Sequence, residues 1–358
     1  MERINEDGII SMQHLAAGRA VDQLRRQLGI VFDTQDTSMG ACPLEGITPQ
    51  LFAGLPQENL RLLITGARAN HLKLSETKEG VVCVDVSGWT LEQMRSLADP
   101  LAKQADLPDI KLLSAQSIYG TLITLAKHAT LLPAMLLIQD SDFPSQWLDV
   151  NMEDIAGYWA APPLDIVEVT HANLPVQGAE DTRIYCFRTR FGTSTHLALL
   201  VGEPEKQHAP LIRVHSSCIT GDILGSLRCD CGDQLQVALG QIQEAGHGVL
   251  LYLHQEGRGI GIANKIRAYA LQEKGFDTYD ANLMLGYDED ERDFTLAAEM
   301  LSKLGIGQVR LMTNNPAKIE KLRHYGIAIT ERVPLKTGAG KYNQAYLDAK
   351  AKKSGHLF

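Results

Sequence analysis

Three cysteines fall close together in RVHSSCITGDILGSLRCDCGDQL, where Cys218 is followed by ten residues and then by Cys229 and Cys231 on either side of Asp230. Three thiolates form a soft donor set suited to zinc. A structural zinc site takes a fourth Cys or His nearby, and none follows at that spacing. Three protein ligands leave one tetrahedral position open for water, which is the catalytic arrangement. Three thiolates also donate much negative charge, so bound water is acidified less than at a three-histidine site and calls for a protein proton acceptor. His215 is near enough in sequence for that role. The spacing alone leaves two other readings open: reduced buried cysteines, or a structural zinc completed by a remote ligand such as His215.

A second group of residues suits an anion and a purine base. In HQEGRGIGIANKIRAYALQ a strand runs into glycines and then a helix, so backbone N–H groups can approach an anion, with Arg258 and Lys265 adding charge. By itself such a turn is more often structural. Glu256 differs in kind, since a carboxylate beside glycines can accept from the paired amino and imino donors of guanine. In LGYDEDERDF the charges from Asp288 to Asp293 read on their own as a solvated helix start. In TNNPAKIEKL a strand ends and Asn and Pro open a helix, placing Thr313 and Lys318 where phosphate binds or a cap simply forms.

The elements that must carry these residues follow from periodicity. Residues 11–29 have helical apolar spacing, 62–65 and 81–86 read as short buried strands, 91–98 and 117–128 as helices, and 131–137 as a strand or helix end. Residues 140–163, rich in Pro, Ser, Asp and aromatics without a clear period, predict a linker at 146–163, or else a long surface loop. Beyond it, IVEVTHANLPV, RIYCFRTRFG and THLALLVGE predict antiparallel strands. Residues 231–245 and 264–274 then predict helices, with GVLLYL and VRLMTNN as strands of an α/β unit. The expected fold class is α/β, of the α+β kind. A smaller N-terminal α/β domain over residues 1–145 precedes a C-terminal domain of mixed sheet with helices over residues 164–358.

A chain of 358 residues has length for two domains. Its formal net charge of −9, with no Lys/Arg block, disfavours nucleic acid as a partner, whereas a small anion held by specific arginines stays open. No apolar run reaches the roughly 18 residues of a membrane span, and MERINEDGIISMQ lacks the basic start and apolar stretch of a signal peptide. A cytoplasmic protein is therefore expected, in which the six cysteines are not disulfide staples.

Taken in order, RVHSSC, SLRCDCG, QEGRGIGIANKIRAYAL, FDTYDAN, DERDF and LMTNNPAK resemble the GTP cyclohydrolase II family over residues 164–358. The resemblance implies zinc-dependent hydrolysis of GTP to a diaminopyrimidinone ribosylamino phosphate, formate and pyrophosphate, the first step of riboflavin biosynthesis. It implies one zinc per subunit on Cys218, Cys229 and Cys231, with water in the fourth position, beside C8 of guanine. Gln234, Glu256, Gly257 and Arg258 match GTP-binding positions. So do Arg213, Val214, His215, Ser216, Ser217, Thr278, Thr313 and Lys318, of which Arg213 and Lys318 suit phosphates best. Asp290 and Arg292 match residues to which the family assigns proton acceptance and nucleophilic attack on the α-phosphate. A guanidinium is a poor nucleophile, so charge stabilisation is the easier role for Arg292. Tyr269 resembles a family tyrosine near the base that positions water or ring. Magnesium on the GTP phosphates and a homodimer are also implied.

The family pattern commonly reads RVHSEC, and Ser217 stands here in place of the acidic residue, removing a carboxylate beside a zinc ligand. Some bacterial relatives fuse this domain to dihydroxybutanone phosphate synthase, whose acidic metal-binding run is absent from this chain. GRAVDQLRRQ and EGVVCVDV weakly resemble that domain. The resemblance implies a degenerate relative that serves as a scaffold or dimerisation domain, with Cys42 and Cys83 as packing residues. Two rival functions stand beside the cyclohydrolase: a GTP hydrolase that opens the ring and stops early, and a zinc-stabilised GTP-binding regulator without turnover.

Overall fold

The computed structural model describes residues 12–34, 37–140, 142–160, 166–189 and 194–335. Residues 1–11, the end of the expected linker at 161–165, the RFG of the second strand segment and the C-terminal residues 336–358 lie outside the described residues. The N-terminal elements are α1 (Met12–Arg25), β1 (Ile30–Asp33), β2 (Ser38–Pro43), α2 (Pro49–Ala53), β3 (Arg61–Thr65), α3 (Gly66–His71), β4 (Val81–Asp85), α4 (Leu91–Ala98), β5 (Lys111–Leu113), α5 (Ser117–His128), β6 (Ala134–Gln139), β7 (Leu148–Asp149) and α6 (Met152–Ala160). There follow β8 (Ile166–Asn173), β9 (Thr182–Thr189), β10 (Thr195–Val201), β11 (Leu211–Ser216), α7 (Cys231–Glu244) and β12 (Gly248–Leu253). The chain continues through α8 (Gly261–Glu273), α9 (Thr278–Met284), α10 (Thr295–Lys303), β13 (Gln308–Met312), α11 (Pro316–His324) and β14 (Ala328–Val333). The class is mixed α/β with two sheets, as the periodicity predicts.

Two compact units divide the chain: Met1–Pro163 with Ile260–Glu291, and Leu164–Gly259 with Arg292–Phe358. In the first, the strand order is β5-β4-β3-β6-β2-β1-β7, antiparallel except between β1 and β7. Its core joins Leu62, Ile64, Leu136 and Ile138 of the sheet and Met94 and Leu97 of α4 to Ala268, Leu271, Ala281, Met284 and Tyr287. Helix α4 starts where Thr90 and Gln93 form a reciprocal capping box. Gly261 and Gly286 both have left-handed φ, +83° and +86°, and a Cβ at either would lie 2.8 Å from Thr130 Cβ or 2.9 Å from Thr65 Oγ1. Only glycine permits both the backbone and the approach. No periodicity announces that α8 and α9 belong with the N-terminal sheet, because an amphipathic helix shows that one face is buried and not against what.

The predicted linker contains a helix. Met152, Ile155 and Tyr158 of α6 are buried at three-residue spacing, and Glu153 and Asp154 complement the dipole of its first turn. The short period is masked in the sequence by flanking Pro and aromatic residues.

In the second unit the order is β14-β13-β11-β12-β10-β9-β8. Strands β8, β9, β10 and β12 are antiparallel neighbours, whereas β12, β11, β13 and β14 run parallel. Ala238, Leu239 and Ile242 of α7 pack with Leu211, Leu250 and Met312 on one face. Ala297, Met300 and Leu301 of α10 and Leu322 of α11 pack with Ile212, Val214, Val249 and Leu251 on the other. The period-two alternation of strand side chains produces that partition. From β11 the chain passes to β12 on one side and then crosses to β13 on the opposite side, a reversal of the kind at which open α/β sheets bind ligands beyond the carboxyl ends of their strands. Those ends lead into Ser217 and Cys218, into His254 to Arg258, and into Thr313. Among the described residues no helix is long and apolar enough to cross a membrane.

Candidate active site

Cys218 follows β11, a π-type turn over Ile219–Ile223 reverses the chain, and Cys231 opens α7. The Cys218, Cys229 and Cys231 sulfurs lie within 4.8 Å of one another, with Cys218 and Cys229 3.7 Å apart. Zinc–sulfur bonds of about 2.3 Å at a tetrahedral angle place sulfurs roughly 3.8 Å apart, so the triad has the spread of three corners of such a site. Gly221 completes the cradle, since a Cβ there would sit 2.9 Å from Cys229 Sγ and 3.1 Å from Cys218 Sγ. Cys218 and Cys229, and then burial, push the Cys231 thiol well above its ordinary value, and Cys218 is the first cause of a raised value at Cys229. Thiolates this close repel one another unless a cation neutralises them. The donor set can hold a metal, and among the described residues no fourth Cys, His, Asp or Glu joins it.

His215 is not that fourth ligand. Its Nε2 faces both Asp222 carboxylate oxygens at 3.1 Å, and its ring stacks on Tyr252. Burial lowers its pKa, and Asp222 opposes the shift. Asp222, absent from the sequence-based site, accepts from the Cys218 N–H at 2.9 Å and from the Tyr252 hydroxyl at 2.9 Å, with a side chain only 3% exposed. It therefore orients the loop that carries Cys218. The only signal for it in the sequence is an acid four residues after a candidate ligand, which is too common to single out.

A second support runs from the cysteine pair to the sheet. Gln234 donates to Asp230 at 2.5 Å and accepts from Arg213 at 2.6 Å, and Arg213 also donates to the Met312 carbonyl at 3.0 Å. Arg213 is 6% exposed and its Nε has no partner among the described residues. Burial pulls its pKa to about 10, opposed by Cys231, while Arg292 adds repulsion. The Arg292 guanidinium and the Lys318 and Lys321 ammonium groups stand 5.2, 5.3 and 5.3 Å from the ring of buried Phe294. Phe294 thus gathers cations that a phosphate chain can neutralise. Lys318 also donates to the Val214 carbonyl at 3.1 Å, while the Val214 side chain lies in the core. Thr313 Oγ1 accepts from the Asn315 N–H at 3.0 Å, and the Ser216 and Ser217 hydroxyls are buried without partners among the described residues.

Glu256 is 7% exposed and accepts from the Ile219 N–H at 2.7 Å and the Gly257 N–H at 3.0 Å, which ties the turn after β12 to the Cys218 loop. A carboxylate offers about four lone-pair sites, so acceptor capacity remains for a base. Gly257 and Arg258 both adopt left-handed backbone, φ 64° and 62°. For arginine this costs roughly 1 kcal/mol or more, a strain that clusters at ligand sites. Arg258→Gly is expected to leave the melting temperature unchanged or raised while weakening GTP affinity. Thermal unfolding beside a GTP titration checks this; undiminished affinity removes Arg258 from the site.

His196 on β10 is 3% exposed and its Nδ1 accepts from the His254 N–H at 3.1 Å. Burial, aided by His254, pulls its pKa down to about 4. From the ordinary value near 6.5 down to about 4, the unfolded chain binds a proton that the folded chain does not, so stability falls as pH falls through that window. The loss reaches about 3 kcal/mol, to order of magnitude, once pH is below both values. Urea unfolding at about pH 7 and about pH 5 should show it, with a smaller difference in His196→Leu.

The remaining expected site residues belong to the first unit. Tyr269 on α8 is half-buried with the Lys265 ammonium 5.9 Å from its ring. Thr278 opens α9, and its hydroxyl accepts from Gln272 at 3.0 Å. Asp290 lies in the irregular stretch after α9, so the charge run is not a helix start; α10 begins only at Thr295, whose N–H donates to Asp293 at 2.8 Å.

The GTP cyclohydrolase II family model matches residues 167–334. A GTP cyclohydrolase-2 from Azospirillum brasilense is 42% identical over 365 residues, covering 96% of this chain and 95% of its own. This chain belongs to the GTP cyclohydrolase II family. The riboflavin biosynthesis protein RibBA of Endomicrobium trichonymphae is 48% identical over 208 residues, covering 58% of this chain and 51% of its own. Among solved structures, RibBX from A. baumannii, a two-domain 3,4-dihydroxy-2-butanone 4-phosphate synthase, aligns with 90% of this GTP cyclohydrolase II family member and 99% of its own chain, at 14% identity and a TM-score of 0.32. The match to the Azospirillum protein includes the N-terminal residues, so in this family member they are shared with a relative rather than appended to it.

Proposed function

We infer that this chain is a GTP cyclohydrolase II that hydrolyses GTP to a diaminopyrimidinone ribosylamino phosphate, formate and pyrophosphate, the first step of riboflavin biosynthesis. The observation that carries the reading is the thiol triad, within 4.8 Å, in a chain of this family. Cys218, Cys229 and Cys231 would hold zinc, which when bound supplies Lewis-acid activation of water. The protein's own groups do the rest. Glu256 accepts the paired donors of guanine, with Gly257 and Arg258 beside it. Arg213, Arg292 and Lys318 meet the polyphosphate, and Arg292 stabilises charge at the α-phosphate rather than attacking it, because a guanidinium is a poor nucleophile. Asp290 takes up a proton, Tyr269 positions water or ring, and Val214, Ser216, Ser217, Thr278 and Thr313 complete the nucleotide contacts. Gln234 and His215 act through Arg213 and Asp222 respectively. Magnesium travels on the triphosphate; outside the triad, the described residues offer no cluster of three metal donors. A reducing cytoplasm keeps the thiols available, and the family resemblance supports a homodimer.

The test is purified protein with zinc, magnesium and GTP, following formate and pyrophosphate together. Release of both supports the reading. A ring-opened product that keeps its formyl group identifies an early-stopping hydrolase, and GTP binding with neither product identifies a regulator; either outcome overturns the assignment.

A further inference from the structure

Lys127 stands in the last turn of α5. Its Nζ lies 2.7 Å from Glu291 Oε1 and 2.9 Å from Asp288 Oδ2, and the Lys127 and Glu291 side chains are only 18% and 19% exposed. Glu291 Oε1 also accepts from the Asp288 N–H at 2.8 Å, closing the 288–291 turn on itself. Burial pulls the Lys127 pKa down, but Glu291 and Asp288 outweigh it and leave the ammonium charged. In sequence, Glu291 is flanked by Asp290 and Arg292.

The same corner grips α8. Asn264 Nδ2 donates to the Thr130 carbonyl at 2.8 Å and the Tyr287 hydroxyl at 3.0 Å, and that hydroxyl in turn donates to the Leu131 carbonyl. Arg267 Nη1 lies 3.0 Å from Glu45 Oε2, which also accepts from the Leu132 N–H at 3.0 Å. Apolar contacts such as Leu271 and Met284 tolerate sliding, whereas a connected polar network holds one register. Residues 260–291 are therefore held in place by the N-terminal part of the chain, and at their end the hold is an ion pair next to two reacting groups.

We propose that Lys127 is a positioning residue for the cyclohydrolase reaction, fixing through its ion pair with Glu291 the placement of Asp290 and Arg292. The proposal rests on the functional reading above, in which Asp290 takes up a proton and Arg292 stabilises charge. It assigns the N-terminal part of the chain a task, which is to hold the segment that carries part of the chemistry.

The experiment uses the full chain with zinc, magnesium and GTP, as wild type, Lys127→Met, Lys127→Arg, Glu291→Gln and the Lys127→Met/Glu291→Gln double variant. Lys127→Met should lower kcat for formate and pyrophosphate together by about 10–100-fold, as loss of a supporting partner does, while KM for GTP changes by less than about threefold. Lys127→Arg should recover most of the rate. Glu291→Gln should match Lys127→Met, and the double variant should be no slower than either single one. The double variant buries no unpaired charge, so it keeps the test valid where Lys127→Met fails to fold. A double variant as fast as wild type, or single effects that multiply in the double, overturns the proposal alone. A wild type that releases neither product overturns the functional reading and this proposal with it.

Discussion

Cys229→Ser is expected to lose formate release by more than the roughly 10–100-fold that follows loss of a ligand's supporting partner, because here a ligand itself is removed. A serine hydroxyl is harder and far less acidic than a thiol, and it cannot complete a three-thiolate set. The Cys218 and Cys229 sulfurs are 3.7 Å apart, and the Gly221 backbone packs against both, so that a Cβ there would lie 2.9 Å from Cys229 Sγ and 3.1 Å from Cys218 Sγ. Zinc content after desalting should fall in parallel with formate. If Cys229→Ser retains both zinc and formate release, the triad is not the catalytic metal site. If it keeps zinc but loses formate, the ligand matters to reactivity beyond retention of the ion.

The second large effect is expected at Arg292. Arg292→Ala should lower pyrophosphate release by about 10²–10³-fold, the range found when a donor to a developing negative charge is removed. Phe294 holds the guanidinium at 5.2 Å, and its repulsion of Arg213 shows two cations confined together, an arrangement that a polyphosphate relieves. Arg292→Lys separates the two chemical roles. A charge stabiliser is partly replaced by an ammonium, so a residual rate well above that of Arg292→Ala is expected. A role as nucleophile predicts instead a nitrogen–phosphorus adduct, trapped on rapid quenching of wild type and absent from Arg292→Ala. Detection of that adduct would displace the electrostatic role of Arg292.

Both predictions concern residues that the chain reveals by type and spacing. Cys218, Cys229 and Cys231 stand out because three soft donors within fourteen residues have few other uses, and the structure brings their sulfurs together. Glu256 stands out beside its glycines, although two of its hydrogen bonds serve the Cys218 loop. Asp222 and Phe294 did not stand out. A lone buried aspartate and a lone phenylalanine are common, and their work depends on what faces them: the Cys218 amide and His215 in one case, three cations in the other.

Helices at 91–98 and 117–128, the antiparallel run from β8 to β10 and the strands β12 and β13 were legible by themselves, because each is a pattern within one segment, whereas β11 and β14 of the parallel set were not legible as strands. The zinc-type donor set was legible for the same reason, being local. What only the tertiary structure decided is non-local: that α6 interrupts the expected linker, that residues 260–291 share a core with the N-terminal sheet, and that Lys127 meets Glu291 across a sequence separation greater than a whole small domain. Hydrophobic pattern specifies which face is buried, but burial is non-directional, so the partner is chosen by packing and by the few polar pairs that a wrong partner would leave unsatisfied.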